Sequence, residues 1–122
     1  MKALGQHLIL ELYGCNKAAL SSVARVQEIM LKAARAADAT IIDSIFHTFK
    51  PYGVSGVVVI SQSHFAIHTW PEHRYASADL FTCGDTLKTW NAFNTVKRLF
   101  KASRFSVVKM ERGFIPKNRP SR

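Results

Sequence analysis

The chain is short of cysteine, of acidic side chains and of long apolar runs. Two cysteines in 122 residues, Cys15 and Cys83, cannot build a disulfide framework and do not make a four-ligand zinc pattern. A reducing cytoplasm is the simplest setting for them. No apolar run reaches membrane-spanning length. The opening residues, 1–7, lead into a short run broken by Glu11, a poor secretory signal. Eight acids stand against 17 lysines and arginines, a formal charge of +9. That excess is local: positions 97–122 hold nine basic residues and Glu111 alone among acids, a net +8, leaving +1 for the rest. No aromatic-basic interleaving or nucleic-acid motif accompanies the basic segment, so it reads as a solvated face and a frayed terminus, and nucleic acid is not expected as a partner.

What is present suits one globular domain: 48% hydrophobic and 20% charged residues at a length that buries a modest core. His7–Tyr13 reads as a strand closed by Gly14. Ser21 or Ser22 caps a helix to about Ala37, with Val23, Val26, Ile29, Met30 and Ala33 on one face. Thr40–Phe49 is β-branched and aromatic, hence a strand, and Pro51-Tyr52-Gly53 ends it. Val54–Ser61 is a second strand whose continuous Val57–Ile60 run predicts burial on both faces. Ser63–Thr69 follows as a strand stopped by Pro71, then Tyr75–Thr82 and a turn at Gly84-Asp85. Thr86 caps a helix to about Lys101, with Leu87, Trp90, Phe93, Val96 and Phe100 as its apolar stripe. Phe105–Met110 is the last strand.

Strands outnumber helices, which predicts an α+β two-layer sandwich: an antiparallel-rich sheet with two helices on one face. A sheet covered on one face leaves the other to be buried by something else. In so short a chain a second copy is the economical cover, so a homodimer through or beside the sheet is expected.

Ser63 is the residue most open to chemistry. It begins a strand just after another ends, where a tight link could hold the carbonyl of residue 62 against the serine hydroxyl. Attack there would give an ester, elimination a dehydroalanine, and hydrolysis a pyruvoyl group, a ketone that forms a Schiff base with an amine and accepts electrons from its α-carbon. Taken alone, most serines in such a place are merely turn residues. His64 and His68, four apart on a strand, share a face, yet no third ligand lies near and no metal is predicted. His68 suits either structural or proton-transfer use. Cys83, between a strand and Gly84, is either an inert buried thiol or a proton donor. Phe49, Trp70 and Glu72 are candidate ligand contacts, aromatic faces for a purine or sulfonium and a carboxylate for ribose hydroxyls; core packing and a strand-end plug are the competing roles for the two rings.

Longer blocks tie these residues together. Phe46-His47-Thr48-Phe49, the run from Pro51 to Ser61, Ile67-His68-Thr69-Trp70-Pro71-Glu72 and Asp79-Leu80-Phe81-Thr82-Cys83-Gly84 resemble the small prokaryotic S-adenosylmethionine decarboxylase proenzymes, in the same order from Met1 to about Gly113. The resemblance implies a single decarboxylase domain, 1–113, with a basic, poorly ordered tail, 114–122. It implies self-cleavage between Gln62 and Ser63 into a β chain, 1–62, and an α chain, 63–122, whose first residue becomes the covalent pyruvoyl cofactor. Ser55 and His68 match the positions that assist processing, and Cys83 the acid that reprotonates the substrate. Phe49, Trp70 and Glu72 match a nucleoside site that in short forms lies between protomers. The product would be the aminopropyl donor for spermidine synthesis. Gln62 replaces a usual Glu, and His73-Arg74 a usual Tyr-Gly. The second change leaves L-ornithine or L-arginine as alternative substrates; an uncleaved, non-catalytic partner or a basic binding module is the non-enzyme alternative.

Overall fold

In the computed structural model, which describes residues 2–84 and 86–116, the elements run β1 (Ala3–Tyr13), α1 (Lys17–Ser21), α2 (Val23–Ala36), β2 (Ile41–Thr48), β3 (Val54–Ile60), β4 (Ser63–Trp70), a 3-10 turn (Pro71–His73), β5 (Tyr75–Cys83), α3 (Thr89–Leu99) and β6 (Arg104–Phe114). One six-stranded sheet results, in the order β2-β3-β4-β5-β1-β6. Every neighbouring pair is antiparallel.

Period-two alternation divides the side chains of the strands. Leu8, Leu10 and Leu12 of β1, Val54, Val58 and Ile60 of β3, Phe65 and Ile67 of β4 and Ala76, Ala78 and Leu80 of β5 point into the core. There they meet Val26, Ile29, Met30 and Ala33 of α2 and Ala92, Phe93 and Val96 of α3. Gly56 is small for a reason on this side: a Cβ there would come within 1.9 Å of the Phe46 ring.

The α+β sandwich matches expectation, with two differences among the helices. A five-residue helix, α1, precedes the expected one. It is capped by Asn16, whose Oδ1 accepts from Ala19 N at 2.9 Å, and is too short to leave a periodic signal. Ser22, not Ser21, then caps α2 by accepting from Arg25 N. Thr86 caps nothing: α3 starts at Thr89, with Lys88 at the cap position and no side-chain cap. Two tertiary bonds fix that start, Lys88 N to Ala37 O at 3.0 Å and a Thr82–Thr89 hydroxyl contact at 3.1 Å. Leu87 therefore precedes the helix, and Trp90 faces outward.

The last strand is also longer than its apolar stretch. β6 pairs along almost the whole of β1, from Tyr13 opposite Arg104 to Ala3 opposite Phe114, so order continues past residue 113. Lys109, Glu111 and Arg112 hide this in the sequence, since an edge strand carries charge without losing its ladder. The rest of the expected tail, 117–122, lies outside the described residues. The basic segment is partly engaged with the chain's own rings: Lys97 sits 5.2 Å from the Phe93 centroid and 4.8 Å from that of Phe105, and Arg104 lies 5.1 Å from Tyr13.

Among the described residues no helix covers the opposite face of the sheet. Val57–Ile60 is accordingly not buried on both faces in the single chain: Val58 and Ile60 are buried while Val59 is 41% exposed. Ile45, Val108 and Met110 are exposed on the same side.

Candidate active site

The β3–β4 hairpin sets the geometry. Ile60 and Ser63 form its closing pair, with Ser61 and Gln62 in the turn. Ser61 N donates to Thr40 O at 2.8 Å, anchoring the turn to the start of β2. Gln62 takes a left-handed backbone, φ +70°, which glycine adopts freely and other L-residues only at a cost. Ser63 opposes the buried Ile60, and its Oγ is buried without a hydrogen-bond partner. An orphaned hydroxyl beside a strained peptide is the arrangement expected of a nucleophile awaiting its reaction.

The same hairpin places Ser55 directly opposite His68. Their Oγ and Nδ1 atoms are 2.6 Å apart, so the hydroxyl donates when the ring proton is on Nε2. The imidazole lies between two rings, Trp70 at 4.2 Å and Phe49 at 5.7 Å between centroids. Phe49 follows β2, where its N–H donates to Gly53 O at 2.8 Å, and it also touches His47. Its ring is exposed. Glu72 projects to solvent from the 3-10 turn that Pro71 starts, and Arg74 closes that turn at φ +51°. Below lies a depression of about 380 Å³ lined by Ser55, Ala66, His68, Ser77 and Asp79 among others. His64 does not join His68: it pairs with Phe81, against whose ring it stands edge-on.

The candidate residues thus fall into two groups. Cys83 ends β5, half-buried and free, at the hairpin end of the sheet, since the pairing of His64 with Phe81 sets it level with the turn. Ser63 stands at that end too. Ser55, His68, Phe49, Trp70 and Glu72 stand at the other. His68 is five residues along β4 from Ser63, roughly 17 Å, and points to the opposite face. No single chain brings the two groups together.

Three features escaped the sequence, two on the open face and one in the core. His7 Nε2 donates to Asp79 Oδ1 at 3.0 Å while Arg112 Nη1 donates to its Nδ1 at 3.2 Å, both packed around Phe81. Tyr75 stacks on Trp70 and on Tyr13 and donates its hydroxyl to Glu11. Burial first, then the bond to Glu11, push the Tyr75 phenol up to about 12. Thr69, fully buried, accepts from Val54 N at 2.9 Å and donates to Leu20 O at 2.8 Å. Period-two alternation fixes the faces of these residues, but their partners depend on registers no local pattern reveals. Cys15 is buried, which pushes its thiol up to about 11 and leaves it inert.

The architecture is that of a decarboxylase. The crystal structure of the adenosylmethionine decarboxylase from Aquifex aeolicus VF5 has the same fold, with a TM-score of 0.92 and 34% sequence identity over 99% of this chain and all of that one. A proenzyme of S-adenosylmethionine decarboxylase from Thermosipho melanesiensis is 51% identical, covering 98% of this chain and 96% of its own. Its counterpart from Thermotoga petrophila is 54% identical over 93% of this chain and 87% of its own. The family model for S-adenosylmethionine decarboxylase matches residues 6–113. The chain belongs to the S-adenosylmethionine decarboxylase family.

Proposed function

We propose that the chain cuts its own backbone between Gln62 and Ser63 and, so matured, decarboxylates S-adenosylmethionine to the aminopropyl donor for spermidine synthesis. The observation that carries this is the hairpin: a left-handed Gln62 next to a buried, unpartnered Ser63 hydroxyl. Oγ attacks the carbonyl of residue 62, and the acyl group moves from nitrogen to oxygen. Elimination releases residue 62 as a carboxylate and leaves dehydroalanine at 63; one water then enters and ammonia leaves. The pyruvoyl group fits a position whose precursor hydroxyl has no other bond to make, and when formed it would supply a ketone that takes up electrons from the substrate.

The chain's own groups do the rest. Ser55 and His68 form a hydroxyl–imidazole pair able to accept and return a proton at Nδ1. Cys83 holds a thiol proton for the substrate's α-carbon. Phe49 offers an open ring face to a purine, Trp70 walls the same end, and the exposed Glu72 carboxylate accepts from ribose hydroxyls. An aromatic face gives ornithine or arginine nothing to stack on, which favours the nucleoside substrate.

The two ends of the sheet come together when a second copy covers the open face. An antiparallel arrangement of two sheets sets the Ser63–Cys83 end of one protomer against the Ser55–His68 end of its partner. It also buries Ile45, Val59, Val108 and Met110, whose exposure is otherwise unaccounted for. We place the protein in the cytoplasm, where both thiols stay free.

Intact mass under denaturing conditions tests the cut. Two fragments dividing at 62/63 are expected, the second lighter than a serine terminus by the elements of ammonia; a single full-length species refutes self-processing, and Ser63→Ala should give just that. Carbon dioxide release from S-adenosylmethionine, ornithine and arginine tests the substrate, and preference for either amino acid refutes the assignment. Refolding a His68→Ala chain with a Ser63→Ala chain tests the shared site. Cutting of the His68→Ala chain is expected in the mixture, and its absence there argues for a site within one protomer.

A further inference from the structure

Trp70 is in contact with two rings of its own chain. His68 lies 4.2 Å away between centroids and is tilted by 59°, and Tyr75 is nearly parallel at 27° with centroids 5.0 Å apart. Tyr75 in turn stacks on Tyr13 at 21° and 5.3 Å, and Arg104 caps Tyr13. A continuous row of flat groups therefore crosses β6, β1, β5 and β4 and ends on the His68 imidazole. The Tyr75 hydroxyl anchors the row through its bond to the Glu11 carboxylate.

From this arrangement we propose that Trp70, Tyr75 and Glu11 form a brace that sets the angle of the His68 ring, so that Tyr75 and Glu11 are positioning residues for self-cleavage. The inference rests on the reading of His68 as the processing imidazole. Among the described residues the imidazole bonds to Ser55 alone, and the ring torsion of a histidine is soft. A hinge with one bond swings unless something flat stands against it. Trp70 does so, but its own ring torsion is equally soft, and the stack on Tyr75 stops it. A stack of half-buried rings can still slide, and the hydroxyl bonded to Glu11 prevents that. Trp70, already packed against two rings of its own chain, thus acts chiefly through His68, leaving the more open Phe49 as the stacking surface for a purine. The ionisable groups near the imidazole are His47 on β2, Tyr75 and Asp79 on β5 and Glu11 on β1.

The test is the first-order rate of 62/63 cleavage of the full-length chain, followed by intact mass from pH 5 to 9. His68→Ala is measured beside Tyr75→Leu, Tyr75→Phe, Glu11→Ala and Glu11→Gln. Tyr75→Leu should slow cleavage by about 10-fold or more, from loss of the stack and its anchor together. Tyr75→Phe and Glu11→Ala should slow it about 2- to 10-fold. Glu11→Gln keeps an acceptor oxygen and should recover most of the Glu11→Ala loss. All slowed variants should also move the midpoint of the pH profile, because a freely turning imidazole exchanges its bond to Ser55 for bonds to water. Wild-type rates and profiles in the Tyr75 and Glu11 variants, with His68→Ala slow, overturn the brace alone. Lower melting temperatures with unmoved profiles do the same. If His68→Ala cuts like wild type, the processing role of His68 falls and the brace with it. Should Tyr75→Leu not fold, Tyr75→Phe and the Glu11 pair decide the matter.

Discussion

The backbone at Gln62 offers a measurable link between strain and self-cleavage. A left-handed conformation costs an L-residue about 1–2 kcal/mol, and glycine escapes that cost. Gln62→Gly should therefore relax the uncut turn. The relaxation is best measured in the Ser63→Ala background, where the chain stays intact. There glycine gains about 1–2 kcal/mol in the folded state and returns about 0.5–1 through the greater freedom of the unfolded chain. The net gain is about 0–1.5 kcal/mol. With an unfolding entropy of about 2.1 cal/mol/K per residue over 122 residues, that raises the melting temperature by up to about 6 °C. With Ser63 restored, the lost strain no longer helps the carbonyl toward its tetrahedral state. If all of it is released at the transition state, cleavage slows about 5- to 30-fold. Stopped-time gels with intact mass read the rate, and scanning calorimetry reads the stability. A glycine variant that is more stable yet cuts as fast as wild type would refute strain as a driver of the reaction.

Three further outcomes follow from the same geometry. Thr69→Val keeps shape but leaves Val54 N–H and Leu20 C=O buried and unpaired, a loss of about 2–5 kcal/mol, or roughly 8–20 °C in melting temperature; a shift under about 2 °C would contradict the bridge. Cys83→Ala should leave cutting intact and impair turnover, while alkylation of the native protein should label Cys83 and spare Cys15; unchanged turnover removes the thiol as proton donor. Tyr75 should ionise late, near 12 against an ordinary 10, in an absorbance titration at alkaline pH, and Tyr75→Phe should abolish that late step. Because its folded value is raised, the stabilising contribution is whole below about pH 10 and is lost as pH climbs through about 12; a melting temperature flat across that window in wild type, relative to Tyr75→Phe, would count against it.

Much of the scaffold could be read directly. β-branched runs punctuated by Pro51 and Pro71 located β3 and β4, and the 3.6-residue periodicity from Val23 to Ala33 located α2. Local signals failed where tertiary bonds decide: α3 begins where Thr89 meets Thr82, and β6 continues as far as β1 offers it a ladder. The pairing of Ser55 with His68 was nearer to hand than it looked. Once Ser61 and Gln62 are known to form the turn, counting back along both strands sets 55 against 68. The contact between Tyr75 and Glu11 had no such route, because it needs the register of β1 on β5 across 64 residues of sequence.

The strand order has a consequence for a chain cut at 62/63. Residues 1–62 carry β1, β2 and β3, and residues 63–122 carry β4, β5 and β6. Yet β1 lies between β5 and β6, so one product threads through the other like a bolt through a hasp. Pulling them apart means opening the β3–β4, β1–β5 and β1–β6 ladders together, which is unfolding and not dissociation. Maturation can therefore break a covalent bond in the middle of the sheet without creating two proteins, and the new terminus is free to move while everything around it is held.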